Sequence, residues 1–138
     1  MEHRCTLNVR SYELDNYGHV NNAVYLNYLE YARHQFLNDT GFPYDELRRQ
    51  GFGLYVARVD IRYLKPAFLE DELTIVSELT SMGRVKGSVR QLILRGRDLI
   101  AEARVDFATV NGNGRPAAMP DDARKAWTAA GALEAAGR

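Results

Sequence analysis

The spacing of hydrophobic residues changes soon after the N-terminus. Within residues 4–10, apolar and polar positions alternate, which indicates a first strand. From Asn22 onward, apolar residues recur in steps of three and four, as on a helix with a wide apolar face that is about four to five turns long. The sequence TGFP, residues 40–43, ends this predicted helix because glycine and proline continue a helix poorly. A shorter amphipathic segment, YDELRRQG, follows it.

Residues 54–110 are typical of antiparallel strands. In YVARVDIRYLKP (55–66), apolar residues alternate with Arg58, Asp60 and Arg62, which predicts a half-buried strand with one charged face. The residues expected on the buried face are Tyr55, Ala57, Val59, Ile61 and Tyr63. Further strands are predicted over residues 73–78, 85–94 and 99–110, with turns at SMGR (81–84) and GRD (96–98).

A final helix is predicted after Pro120, over residues of about 121–135, with a frayed Ala/Gly-rich end. No repeat or linker divides the chain, and 138 residues suit one domain with its own core, so residues 1–138 are expected to form a single domain. The order of one strand, one long helix and an antiparallel meander predicts an α+β fold. We expect one long central helix wrapped by a curved antiparallel sheet of about five strands.

Charge and cysteine content limit the possible partners. The chain carries 18 basic and 18 acidic residues, so its balance gives no electrostatic reason to expect nucleic acid or an anionic membrane as a partner. Cys5 is the only cysteine, which excludes an internal disulfide and a cysteine-based metal cluster. The first residues lack the apolar segment of a secretory signal, and no stretch approaches the length of a membrane span. We therefore expect a cytoplasmic protein.

A group of polar residues immediately before the long helix carries the candidate chemistry. The sequence LDNYGHVNN contains Asp15, His19 and Asn22. If Asn21 caps the helix, the N–H groups of its first turn lack partners within the helix, and this end of the helix favours negative charge. A carboxylate, an imidazole and free amide donors suit acyl transfer from a thioester. The donors would hold the carbonyl oxygen while Asp15 attacks the carbon or activates water.

Structural explanations of the same residues stay open. Aspartate, asparagine and histidine before a helix most often cap it or form Asx-turns. Asp15 and His19 would also suit as two ligands of a metal ion, but no third ligand is evident from the sequence. His3 and His34 lack supporting neighbours, and we expect them to be structural or solvated.

Three segments together point to a known family. YELDNYGHVNNAVYLNYLEYAR has an aspartate, a glycine-containing turn and a helix entered through a polar motif followed by tyrosine. YVARVDIRYLKPAFLEDELTIVSEL contains Tyr-x-x-Pro-Ala at a strand end and an acidic pair before the next strand, and ARVDFATVNGNGRP ends in Gly-Arg-Pro. These segments, from about Arg4 to Pro116, resemble the hotdog-fold acyl-CoA thioesterases of the 4-hydroxybenzoyl-CoA thioesterase type. The resemblance implies the hotdog fold and hydrolysis of an acyl-CoA thioester.

The resemblance also implies roles for individual residues. Asp15 corresponds to the catalytic carboxylate of the family, acting as nucleophile or general base, and Asn22 to the position whose backbone N–H polarises the thioester carbonyl. His19 has a counterpart in plant acyl-carrier-protein thioesterases, whose helix also begins after His-Val-Asn-Asn. Those enzymes use an asparagine two residues after the aspartate as well. Tyr17 stands there in this chain, so their complete set does not carry over.

Substrate contacts and assembly are expected as follows. Arg84 and Lys86 flank Val85 at a turn where relatives carry basic residues, and we expect them to contact the phosphates of coenzyme A. Alternatively, they only keep an exposed strand soluble. Tyr25 is expected to line the substrate pocket, although this and the other tyrosines equally suit the core. Relatives pair their sheets edge to edge, so a homodimer or homotetramer is expected.

The expected substrate is an acyl-CoA, with an acyl-carrier protein thioester as the second choice, and no metal or redox cofactor is implied. Two other functions stay open on the same fold. One is an enoyl-thioester hydratase or dehydratase, because related enzymes of that kind pair an acidic residue with a histidine. The other is a non-catalytic acyl-CoA-binding module.

Overall fold

The computed structural model describes residues 2–131, which form five strands and three α-helices. In chain order the elements are β1 (His3–Asn8), a 3-10 turn (Ser11–Glu13), α1 (Asn22–Asp39), α2 (Tyr44–Arg49), β2 (Gly53–Tyr63), β3 (Glu72–Met82), β4 (Lys86–Arg95), β5 (Asp98–Val110) and α3 (Asp121–Gly131). The predicted α+β class is confirmed. The predicted continuation of α3 to about residue 135, with its frayed end, lies outside the described residues.

The five strands form one antiparallel sheet in the order β1-β3-β4-β5-β2. The meander predicted over residues 54–110 forms only in part. β3, β4 and β5 pair in chain order at the centre of the sheet, whereas β2 pairs with β5 instead of β3, so β1 and β2 occupy the two edges. β1 pairs with β3, with Leu7 opposite Leu73, and β2 pairs with β5, with Ile61 opposite Ala103. The chain leaves the first edge strand to enter the polar turn that precedes α1.

α1 begins at the predicted residue. The Asn21 side chain accepts a hydrogen bond from the Ala23 N–H at 2.9 Å and caps the helix. Its buried residues are Tyr25, Tyr28, Leu29, Ala32, Phe36 and Leu37. Leu26 and Tyr31 remain 40% and 47% exposed, so the sheet of a single chain covers one side of α1. Neither α1 nor any other helix within residues 2–131 is long and apolar enough to cross a membrane.

The core has two parts that follow the two halves of α1. The first surrounds Tyr25, Tyr28 and Leu29 and continues into the sheet at Ile93 and Ile100. The second is formed by Phe36, Leu37, Phe42, Leu47, Leu79, Met82, Val89, Phe107, Met119, Ala123 and Trp127. α3 therefore contributes directly to the core.

β2 differs from the predicted strand because it contains a β-bulge. Val56 lies opposite Phe107 and Arg58 lies opposite Asp106, so Ala57 stands between them without a partner in β5. An extra residue on one strand reverses the alternation of faces from that point onward.

The bulge corrects the predicted faces of β2. Val56 lies on the helix side before the bulge, and Val59 and Tyr63 lie on that side after it. Tyr55 points to the opposite side of the sheet, contrary to the prediction. The predicted half-burial is wrong as well, because Tyr55, Val59 and Tyr63 are 58%, 36% and 46% exposed. β2 is an edge strand, and no further strand of the same chain covers it within residues 2–131.

Candidate active site

A tight hairpin precedes α1. Leu14 and Val20 form a β-bridge, and the Asp15 N–H donates to the His19 carbonyl at 2.8 Å. The Gly18 N–H donates to the Asp15 carbonyl at 3.2 Å. Gly18 has a φ of 86°, a conformation that favours glycine. The hairpin therefore holds Asp15 and His19 next to each other.

Asp15 uses its two carboxylate oxygens differently. Oδ1 accepts the N–H of Tyr17 at 2.8 Å, which forms an Asx-turn, and the N–H of His19 at 3.4 Å. Oδ2 lies 3.2 Å from His19 Nδ1. The side chains of Asp15 and His19 are 26% and 38% exposed. Asp15 is thus a structural turn residue whose second oxygen faces an imidazole in a solvent-accessible position.

The N-terminus of α1 satisfies several of its N–H groups locally. The Asn21 N–H donates to the Glu13 carbonyl at 2.9 Å, and the Val24 N–H donates to the Asn21 carbonyl at 2.9 Å. The Ala23 N–H is held by the Asn21 side chain. Within residues 2–131, the Asn22 N–H donates no hydrogen bond to a protein acceptor. This group is therefore available to a ligand.

A groove lies between the hairpin and the end of β2. Its walls include Asp15, His19, Asn22, Tyr25 and Tyr63. The Tyr63 hydroxyl donates to the Asn22 carbonyl at 2.9 Å, and its ring centre lies 5.4 Å from that of Tyr25. Burial raises the pKa of Tyr25, so its phenol stays neutral at physiological pH. Tyr25 belongs both to the core and to the groove wall, and the three predicted catalytic residues meet in this one groove.

The predicted phosphate-binding residues lie away from this groove. Lys86 lies opposite Ala108 of β5, whereas Tyr63, beside the groove, lies opposite Ala101. The strand positions from Ala101 to Ala108 span about 23 Å. Arg84 lies in the exposed turn just before Lys86. A single chain therefore does not bring Arg84 and Lys86 to Asp15.

Glu13 is a buried carboxylate next to the hairpin, with 6% exposure, and the sequence does not predict it. Glutamate is rarely buried, and a glutamate in a polar turn is ordinarily taken as solvated. Its partner Tyr28 lies on α1, fifteen residues further along the chain. The only local signal is Arg10, three residues earlier, at a spacing that allows an ion pair.

The two remaining histidines do not line this groove. The described part of the chain contains no group of three or more His, Cys, Asp or Glu residues placed to hold a metal ion. His3 stacks on Phe36 and its Nε2 lies 2.7 Å from Asp39 Oδ2, which ties β1 to the end of α1. His34 is exposed on α1.

Comparison with known proteins defines the family. Residues 9–127 match the family model of the thioesterase-like superfamily. The chain is 33% identical over 124 residues to the chloroplastic acyl-acyl carrier protein thioesterase ATL3 of Arabidopsis thaliana, covering 88% of this chain and 65% of that protein. It is 34% identical over 107 residues to the long-chain acyl-CoA thioesterase FadM of Escherichia coli (strain K12), covering 76% of this chain and 80% of that protein. The chain thus spans slightly less than two thirds of the Arabidopsis protein.

Solved structures agree with this assignment. A thioesterase from Thermus thermophilus, solved in complex with coenzyme A and Zn, shares 32% identity and a TM-score of 0.81, with 94% of this chain and 93% of that chain covered. The chain belongs to the thioesterase-like superfamily. Its architecture is the hotdog fold that the sequence resemblance implies.

Proposed function

We propose that this protein hydrolyses an acyl-CoA thioester to a free acid and coenzyme A in the groove around Asp15. The observation that carries the proposal is the meeting of two groups on one groove. These are the Asp15 carboxylate and the Asn22 N–H that has no acceptor within residues 2–131. Family membership and the named activities of the Escherichia coli and Arabidopsis relatives support this choice of reaction. The cytoplasmic location expected from the sequence stays a prediction.

In the proposed mechanism, the Asn22 N–H and the positive end of the α1 dipole stabilise the negative charge that develops on the thioester oxygen. Asp15 either attacks the carbonyl carbon, forming an anhydride that water then hydrolyses, or removes a proton from an attacking water. In both routes the C–S bond breaks and the thiolate of coenzyme A leaves and takes up a proton. His19 holds the Asp15 carboxylate through the contact between Nδ1 and Oδ2.

A panel of acyl-CoA and acyl-carrier protein thioesters, assayed for free thiol with a disulfide reagent, tests this proposal. Thiol release would support it, and the preferred carrier and acyl group would follow from the relative rates. A change in enoyl absorbance without thiol release would instead indicate a hydratase or dehydratase. Binding without either signal would indicate a non-catalytic module. Both of these outcomes would contradict the proposed function.

We also propose that the active unit is a homodimer, or a homotetramer built from such dimers. The edge strand β2 presents exposed Tyr55, Val59 and Tyr63, and exposed strand edges pair readily with another chain. A two-fold axis that pairs β2 antiparallel with its copy places the start of one β2 beside the end of the other. Tyr55 and Lys86 both lie opposite Ala108. This pairing would therefore bring the basic turn of one chain towards the Asp15 groove of its partner.

Light scattering at micromolar concentration, combined with the thiol-release assay on the same sample, is expected to show a dimer or tetramer in the active fraction. The physical reason is that the exposed apolar side chains and free backbone groups of β2 lose water when they pair. An active monomer at that concentration would contradict the proposed assembly.

The double substitution Arg84→Ala with Lys86→Ala is expected to raise KM for acyl-CoA more than it lowers kcat, because phosphates are remote from the reacting carbon. Steady-state kinetics of thiol release would measure this. A matched control is Arg4→Ala with Lys125→Ala, which also removes two exposed positive charges, at the opposite sheet edge and on α3. If KM stays unchanged in a folded Arg84/Lys86 variant, or rises equally in the control, these residues do not bind the phosphates.

A further inference from the structure

The buried carboxylate of Glu13 is held by two residues from different parts of the chain. Its Oε1 accepts the backbone N–H of Arg10 at 2.8 Å and the hydroxyl of Tyr28 at 2.7 Å. Its Oε2 accepts the Nε–H of Arg10 at 2.9 Å and a second bond from Nη2 of the same guanidinium. Tyr28 and Glu13 are buried, whereas the Arg10 side chain is half-exposed, so the three form a polar cluster at the edge of the core.

The protonation states of this cluster follow from its contacts. Burial acts to raise the pKa of Glu13, but the hydrogen bonds from Arg10 and Tyr28 outweigh it and hold the pKa below its usual range. Burial and the bond to Glu13 both raise the pKa of Tyr28. Glu13 is therefore an anion at neutral pH, and Tyr28 stays a neutral hydrogen-bond donor to it.

Glu13 is also tied to α1 through its backbone. Its carbonyl oxygen accepts the N–H of Asn21, the residue that caps α1. The next residue, Leu14, forms the β-bridge that closes the hairpin, and Asp15 follows immediately. The segment that contains Glu13, Leu14 and Asp15 is thus hydrogen-bonded to α1 at two points. The Glu13 carbonyl bonds to the N-cap residue, and the Glu13 carboxylate bonds to Tyr28 further along the helix.

We propose that Glu13 is a positioning residue for the reaction, and that Arg10 and Tyr28 hold its carboxylate so that Asp15 stays in register with the N-terminus of α1. This inference rests on the proposed function of the groove. Hydrolysis needs the carboxylate and the Asn22 N–H at a fixed separation, and a displacement of about 1 Å is enough to cost up to about 10²-fold in rate. The cluster supplies that constraint from outside the groove, because neither Glu13 nor Arg10 nor Tyr28 lines it.

The test uses Tyr28→Phe, which keeps the buried ring and removes only the hydroxyl that Glu13 accepts, with Glu13→Gln as a second variant should the first fail to fold. We expect kcat for thiol release to fall by about 10-fold or more while KM changes by less than about twofold. The matched control is Gln91→Leu. Gln91 is fully buried and donates to the Leu29 carbonyl and Ser77 Oγ against the same helix, so its loss should lower Tm without lowering kcat.

Two further measurements separate positioning from general stability. In an Asp15→Asn background, Tyr28→Phe should lower the residual rate no further, because it acts through Asp15. An equal loss of kcat from Tyr28→Phe in both backgrounds, or a loss of kcat no greater than that caused by Gln91→Leu, would overturn the inference.

Amide hydrogen exchange at Tyr17 and His19 should be faster in Tyr28→Phe and unchanged in Gln91→Leu. This exchange measurement does not depend on turnover. If exchange at these two amides is as slow in Tyr28→Phe as in the wild type, the positioning role of Glu13 is rejected. If the wild type releases no thiol, the proposed function is rejected instead.

Discussion

Asp15→Asn is expected to lower kcat for thiol release by about 10²–10⁴-fold with KM little altered. Asparagine retains an oxygen for the Asx-turn that Asp15 Oδ1 makes with the Tyr17 N–H, so the hairpin should survive. The substitution removes the negative charge that either attacks the thioester or accepts a proton from water. Steady-state kinetics with the best substrate of the acyl-CoA panel, together with a thermal melt, would measure both effects.

Comparing Asp15→Asn with His19→Ala separates a catalytic role of Asp15 from a purely structural one. His19→Ala should cost less, about tenfold in kcat, because the imidazole only holds the carboxylate through Oδ2. If Asp15 is only a turn residue, Asp15→Asn should be mild in both stability and rate, because asparagine forms Asx-turns about as well as aspartate. A stable Asp15→Asn protein with near-wild-type thiol release would therefore reject the mechanism.

Trp127→Ala is expected to reduce the free energy of unfolding by about 3–5 kcal/mol, the cost of removing a large buried aromatic side chain. Trp127 is 2% exposed, its ring meets Phe42 edge-on at 6.0 Å, and its Nε1–H donates to the Phe42 carbonyl at 3.0 Å. Native proteins are typically stable by only about 5–15 kcal/mol, so Tm should fall by about 10 °C or more. Urea denaturation with a thermal melt would measure the change.

Trp127→Phe serves as the control for the hydrogen bond. It keeps an aromatic ring in the cavity and removes the donor to Phe42, so most of the loss seen with alanine should be absent. A Trp127→Ala protein as stable as the wild type would show that α3 is not an integral part of the fold.

The sequence predicts the grouping of the candidate site residues because its signals are local. The start of α1 follows from Asn21, whose side chain caps the helix, and the placement of Asp15 and His19 follows from a hairpin that Gly18 permits. These groups lie within nine residues of one another, from Leu14 to Asn22, so short-range chemistry brings them together. The same locality explains why the predicted catalytic residues converge on one groove.

Features that depend on distant partners were not predictable. The faces of β2 change at Ala57 because of its pairing with β5, which lies about fifty residues further along the chain. The burial of Glu13 depends on Tyr28, and the distance between Lys86 and the groove depends on the registers in which β2 and β4 pair with β5. A periodic pattern of apolar and polar residues shows which positions alternate along the chain. It does not show which strand or helix each residue contacts, so it cannot predict these features.

The unpaired residue in β2 also determines how this strand tolerates changes in length. Without Ala57, Val56 and Arg58 would become neighbours on opposite faces, which is the regular alternation of a strand, and every remaining side chain would keep its present face. Deletion of a residue from the regular part of the strand after Ala57, such as Ile61, would instead move the side chains on one side of the deletion to the opposite face of the sheet. Natural insertions and deletions in this strand are therefore expected to concentrate at residue 57.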